Sequence, residues 1–171
     1  MLNDKKNLRA DLRKQYQEVT PCDLSDTVRS MPSYRAAQTV ALYYAGGFEA
    51  SVNGLLADTD KILLLPRCGE EGMVFCRYVG VLAPDRFGIP SPIGEPWQEA
   101  IDLMLVPALA FDKKGYRLGR GGGFYDRALV GFSGQSVGVI REAFLLETVP
   151  IQAHDKKVNS IVTEKGVYII P

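Results

Sequence analysis

The stretch IDLMLVPALAFDKKGYRLGRGGGFYDRAL, residues 101–129, decides the fold. Its opening residues, 101–111, form the most apolar run of the chain and read as a central buried strand. Pro107 should mark the end of that strand, because proline cannot donate to a ladder. Gly115, Gly119, Gly121, Gly122 and Gly123 follow, with Arg117 and Arg120 between them. A helix is expected from about residue 123 to residue 130. A buried strand that passes through a glycine-rich loop into a helix is the building unit of a parallel α/β sheet. In such sheets ligands sit beyond the carboxyl ends of the strands. The loops after Ala45, Pro66 and Phe111 are therefore the places where a site is expected.

Working outward, TVALYYA (39–45) and KILLLP (61–66) are rich in β-branched and apolar residues and read as two more buried strands. MVFCRYV (73–79) reads as a third, with partial alternation. Leu8, Leu12, Tyr16 and Val19 recur at helical spacing over residues 3–19, with Lys5, Arg9 and Arg13 four apart on the adjacent stripe. Pro21 ends that helix, and residues 23–29 start another. SVNGLLAD (51–58) is a short helix. Residues 83–96 hold four prolines and two glycines, which predicts an irregular connection. Downstream, 136–140 is a strand, 141–149 a short helix, and 160–164 and 167–171 two closing strands. The pattern predicts an α/β fold: one three-layer domain over residues 1–171 with a mostly parallel central sheet.

Composition narrows the function. The 171 residues carry 20 basic and 20 acidic side chains, so no basic surplus points to a nucleic-acid partner. Cys22, Cys68 and Cys76 show no C-x-x-C spacing, which argues against a disulfide framework or a zinc ribbon and for a reducing compartment. The charged N-terminus lacks an apolar signal core, and no apolar run reaches the ~18 residues of a membrane span. A cytoplasmic protein with no membrane partner is expected.

The glycine-rich loop carries the chemistry. Glycines let backbone N–H groups converge on an anion, and arginines add charge-assisted bonds to it. The competing reading is a plain strand-to-helix connection with solvated arginines. Two common phosphate motifs are absent: Phe124 stands where G-x-G-x-x-G needs its third glycine, and no Lys-Ser or Lys-Thr dipeptide completes a P-loop. Asp126, at the start of the helix, is either a magnesium ligand or a carboxylate favoured by the helix dipole. Asp155, in AHDKKV, is either a second metal-binding acid or a solvated loop residue. Tyr44 and Glu49, after the first strand, are pocket residues by position; the alternatives are a core aromatic and a solvated acid. GQSVG (134–138) matches G-x-S-x-G, but here a helix precedes the serine and a strand follows, the reverse of a nucleophile elbow. The sole histidine, His154, therefore reads as a loop or capping residue.

VPALAFDKKGYRLGRGGGFYDRAL (106–129) resembles the signature of the 5-formyltetrahydrofolate cyclo-ligase family, also called 5,10-methenyltetrahydrofolate synthetase. KKNLR, FEASVNGLL, ILLLPR, FGIPSP and HDKKVNSIVTE extend the resemblance over most of the chain. It implies ATP- and magnesium-dependent cyclisation of 5-formyltetrahydrofolate to the 5,10-methenyl compound through a phosphorylated formyl group. It implies ATP contacts from Lys5, Lys6, Asn7, Leu8 and Arg9, and from Arg117, Leu118, Gly119, Arg120, Gly121, Gly122, Gly123, Phe124 and Tyr125. Of these, Lys5, Arg120 and Tyr125 would be catalytic. Arg120, Gly121, Gly122, Gly123 and Phe124 would also border the folate, whose pterin Tyr44 and Glu49 would line. Asp126 and Asp155 would hold magnesium. The implied architecture is similar to the sugar-phosphate isomerases and CoA transferases, and a monomer is expected. Three departures stand out: Gly122 where many members carry lysine, Ser51 where a second acid is common, and a longer SPIGEP segment. They keep open a binding module without turnover; an isomerase or acyl-CoA transferase would need a differently placed catalytic carboxylate.

Overall fold

Successive side chains on a strand face opposite sides of the sheet, and here both sides are apolar. The computed structural model describes residues 2–171. Its N-terminal half runs α1 (Leu2–Tyr16), α2 (Ser25–Ser30), α3 (Pro32–Ala36), β1 (Thr39–Ala41), a 3-10 turn (Asn53–Ala57), β2 (Ile62–Gly69), β3 (Gly72–Arg77), β4 (Leu82–Pro84) and β5 (Pro90–Pro92). It continues through β6 (Leu103–Pro107), β7 (Ala110–Asp112), β8 (Arg117–Leu118), α4 (Phe124–Leu129), β9 (Gln135–Val139), a 3-10 turn (Glu142–Phe144), β10 (Leu145–Leu146), β11 (Ser160–Thr163) and β12 (Gly166–Ile169).

Seven strands form the main sheet in the order β12-β11-β9-β6-β1-β2-β3. The five inner strands are parallel; β3 and β12 close the two edges antiparallel. The apolar run at 103–107 is the middle strand and ends on Pro107, as expected. Val40, Leu63, Leu103, Leu105 and Val137 pack on one face with α2, α3 and the first 3-10 turn. Ala41, Leu64, Met104, Val106 and Ile161 pack on the other with Leu12 and Tyr16 of α1 and Leu129 of α4. Two cores on opposite faces of one sheet make the expected three layers.

Several local expectations change. β1 is three residues, not seven, because from residue 43 the chain leaves the sheet. The Tyr43 hydroxyl donates to the Ala50 carbonyl, and Asn53 exchanges two bonds with the backbone of Ala45 (2.8 and 3.1 Å), which folds 42–53 into a wall. β2 runs past Pro66 to Gly69 and turns through Glu70 and Glu71 into β3, an antiparallel hairpin. The proline-rich 83–96 segment contains the β4–β5 ribbon, organised by Asp85, which accepts from the backbone of Phe87, Ile89 and Cys68. The 141–149 helix is only a 3-10 turn followed by β10, which pairs with β7. There Phe144 stacks on Tyr16 at 3.8 Å while the Glu142 carboxylate accepts from Thr163 and Tyr168, so successive side chains point apart.

The G-x-S-x-G match has a packing explanation. A Cβ on Gly134 would lie 2.3 Å from the Ile101 carbonyl, and one on Gly138 would lie 2.6 Å from the Phe111 ring. Ser136 is buried between them on β9, and its hydroxyl donates to Asn159 (2.8 Å).

Candidate active site

The carboxyl ends of β1, β2 and β6 open into one cavity of about 780 Å³. The wall after β1 contributes Tyr43, Tyr44, Gly46 and Glu49, and the β2–β3 hairpin contributes Pro66, Cys68 and Met73. Phe87, Ile89 and Pro90 come from the β4–β5 ribbon. Opposite them lies the glycine-rich loop, delivered by the small β7–β8 ribbon at the exit of β6. Arg117 through Asp126 all line the cavity, and so do Lys5 and Arg9 from α1 and Gln152, His154 and Asp155 from the C-terminal loop. Three of the five residues expected from the first helix stand outside it. Lys6 and Asn7 are exposed, and Leu8 packs against the core.

The loop adopts left-handed backbone at Gly121 (φ 115°) and Gly123 (φ 65°), the kind of turn that gathers N–H groups into an anion nest. α4 is only six residues long, shorter than expected, so little dipole supports the nest. The groups in the cavity that could meet an anion are then the loop backbone and the cations. The backbone is tied down by side chains: Arg9 Nε donates to the Gly119 carbonyl (2.8 Å) and Arg127 Nη2 to the Gly122 carbonyl (3.0 Å).

Each of three cations in the cavity faces a carboxylate. Lys5 Nζ lies 2.6 Å from Asp155 Oδ2, with both side chains almost wholly buried. Burial alone would raise the Asp155 carboxyl, but Lys5, the Gln152 N–H and His154 outweigh it and hold it below its ordinary value. Arg117 Nη2 lies 2.6 Å from Asp126 Oδ1, an ion pair whose angles fall short of a hydrogen bond, and its Nε has no hydrogen-bond partner among the described residues. Burial lowers the Arg117 pKa while Asp126, Tyr125 and Asp155 oppose the shift; the guanidinium stays charged. Arg120 Nη2 lies 2.9 Å from Glu49 Oε1, and the Gly46 N–H donates to Glu49 Oε2 at 3.1 Å. Burial pushes the Glu49 carboxyl up, against Arg120 and the Gly46 N–H. The Tyr125 hydroxyl is buried without a hydrogen-bond partner among the described residues, and burial raises its pKa.

No group of three or more His, Cys, Asp or Glu side chains suited to a metal ion occurs among the described residues. Asp126 and Asp155 nevertheless fit magnesium in kind, since it binds through one or two carboxylates together with phosphate oxygens and water. His154 is 70 % exposed at the rim, 3.6 Å from Asp155, so it is a loop residue as expected. The loop after Pro66 was an expected place and contributes Cys68, but Met73 and the cavity residues of the β4–β5 ribbon were not expected. GEEG at 69–72 is a hairpin signal; the aromatic and apolar residues at 87–90 carry none.

Fold and site together define an α/β protein whose basic, glycine-rich loop faces a mostly apolar chamber with the half-buried acid Glu49. A model of the 5-formyltetrahydrofolate cyclo-ligase family matches residues 1–164. The 5-formyltetrahydrofolate cyclo-ligase of Haemophilus influenzae is 30 % identical over 166 residues, covering 88 % of each chain. That of Mycolicibacterium smegmatis is 41 % identical over 93 residues, a match that spans about half of each chain (50 % and 47 %). The 5,10-methenyltetrahydrofolate synthetase structure from Aquifex aeolicus superposes with a TM-score of 0.81 at 30 % identity, covering 97 % of this chain and 92 % of that one. The chain belongs to the 5-formyltetrahydrofolate cyclo-ligase family. No helix among the described residues is long and apolar enough to cross a membrane.

Proposed function

We propose that the protein converts 5-formyltetrahydrofolate and ATP into 5,10-methenyltetrahydrofolate, ADP and phosphate, with magnesium, as one domain acting as a monomer in the cytoplasm. The observation that carries this reading is the convergence, in one cavity, of the Arg117–Asp126 segment, the Lys5–Asp155 pair and the half-buried Glu49.

The formyl oxygen on N5 is a poor leaving group. Transfer of the γ-phosphoryl group to that oxygen releases ADP and leaves an iminium phosphate. The N10 lone pair then attacks the formyl carbon, the carbon–oxygen bond breaks, phosphate departs, and N10 loses its proton. Phosphoryl transfer of this kind asks for alignment and charge neutralisation more than for covalent help. The loop N–H groups and Arg120 meet the phosphate chain, while Lys5 and Arg9 approach it from α1. Tyr125, on the same segment, keeps its place as a catalytic candidate. Asp126 and Asp155 would hold magnesium, which neutralises phosphate charge when bound. Glu49 accepts hydrogen bonds from the pterin, beside Tyr44, and the apolar walls exclude water.

Mixing the protein with 5-formyltetrahydrofolate, ATP and magnesium should produce the absorbance of the methenyl chromophore, and Asp126→Asn should demand more magnesium for the same rate. Absence of any absorbance change in wild-type protein that binds both ligands would replace the enzyme with a binding module. Indifference of Asp126→Asn to magnesium would remove that residue from the metal site.

A further inference from the structure

The three ion pairs of the cavity are not equivalent. In the Lys5–Asp155 pair both side chains are nearly buried (8 % and 6 % exposed), and the Arg117 side chain of the second pair is 4 % exposed. Separating either would strand a charge away from water. In the third pair the Arg120 side chain is 59 % exposed and Glu49 19 %. Arg120 stands between Gly119 and Gly121 and reaches across the cavity from the phosphate cradle to the opposite wall. It can swing into solvent or onto a ligand at small cost, because exposed ion pairs contribute little.

Both Glu49 oxygens are already engaged, Oε1 by Arg120 and Oε2 by the Gly46 N–H. From inside the cavity, a ligand that donates hydrogen bonds to Oε1 approaches the same oxygen as Arg120 Nη2. A phosphate on the loop that draws the guanidinium toward itself draws it away from Glu49. We propose that the Arg120–Glu49 pair is an exchange contact that couples the two halves of the cavity: whichever ligand binds first breaks it, and the second binds without that penalty. This rests on the reading of the cavity as a joint folate and ATP site. Arg120 thereby acts as a positioning residue toward the folate, in competition with it for Glu49, and as a direct contact toward the nucleotide. The coupling is reciprocal by linkage, so each ligand tightens the other by the same factor. A pair of this exposure sets that factor at about twofold to fivefold.

The test is a set of dissociation constants for 5-formyltetrahydrofolate and for a non-hydrolysable ATP analogue with magnesium, each alone and in the presence of the other. Wild-type protein should show the same tightening, about twofold to fivefold, in both directions. Arg120→Ala should bind the nucleotide analogue more weakly, yet bind 5-formyltetrahydrofolate alone more tightly by that factor, with the coupling reduced to one. Glu49→Gln should bind the nucleotide alone more tightly. Weaker or unchanged folate binding by Arg120→Ala, or coupling that survives in it, overturns the exchange contact and leaves the joint site standing. Wild-type protein that binds neither ligand overturns both.

Discussion

Replacing Lys5 by Met removes the cation from the most buried ion pair of the cavity and keeps the length of its stem. Asp155 would then hold a carboxylate that is 6 % exposed with its 2.6 Å partner gone. Removing one member of a buried pair costs about 3–5 kcal/mol when the remaining charge has no other partner. Asp155 keeps the Gln152 N–H at 2.7 Å and His154 at 3.6 Å, so the lower end applies, about 3 kcal/mol. For a chain of 171 residues this lowers Tm by roughly 6–12 °C, at about 2–4 °C per kcal/mol. The pH dependence fixes the cause. The Asp155 pKa is lowered in the folded state, so the stabilisation is present above its unfolded value and lost as pH falls through the folded one. The gap between wild type and Lys5→Met should be full at neutral pH and close on acidification below about pH 4. Thermal melts followed by circular dichroism at pH 7 and at pH 3.5 measure both. A gap below roughly 2 °C at neutral pH would refute the buried pair. A gap of equal size at both pH values would attribute the loss to packing of the lysine stem rather than to charge.

Two further outcomes follow from the same geometry. Gly138→Ala should lower the urea midpoint by the equivalent of about 2–3 kcal/mol, since its Cβ would lie 2.6–3.0 Å from the fully buried Phe111 ring; an unchanged midpoint would mean that the ring has room to move. Glu49 runs opposite in sign to Asp155: burial raises its pKa, so the folded state favours the protonated acid. Binding of 5-formyltetrahydrofolate should therefore weaken on acidification at a higher pH than an ordinary glutamate would dictate, and Glu49→Gln should flatten the profile. A midpoint at or below the ordinary value of about 4.3 would contradict the burial.

The sheet was readable because its strands are buried on both faces. Continuous apolar runs at 62–65 and 103–106 have no other use in a chain of this size, and Pro107 punctuates the central one. The layers follow from the same alternation. What could not be read depends on partners distant in sequence. The residues 42–45 look like strand continuation, yet Tyr43 and Ala45 are held off the sheet by Ala50 and Asn53. Residues 142–146 have helical composition, yet Glu142 is claimed by Thr163 and Tyr168, and Phe144 by Tyr16. The candidate site was legible to a similar extent. Glycine and arginine density marked Arg117–Asp126 locally, and the loop after β1 was marked by its position at a strand's carboxyl end. The apolar chamber was not marked: Met73, Phe87 and Ile89 reach the cavity only because the β2–β3 hairpin and the β4–β5 ribbon bring them there.

A loop with five glycines between residues 115 and 123 loses much conformational entropy on ordering, and such a loop left to itself would be a poor cradle. The side chains around it supply the order that its backbone lacks. Arg9 holds Gly119 from α1, Arg127 holds Gly122 from α4, and Arg117 packs so close beneath that a Cβ on Gly119 would lie 2.9 Å from its Nη1. Arg117 can occupy that buried position because Asp126, on the first turn of α4, supplies its counter-charge. The loop and the helix that follows are thus locked by an ion pair internal to the motif, nine residues apart in sequence. For the proposed phosphate ligand, the ordering entropy of the loop would then be lost on folding rather than on binding. This division explains why the loop needs both residue types. Glycine at 121 and 123 permits the left-handed turns, and arginine on either side keeps those turns from relaxing.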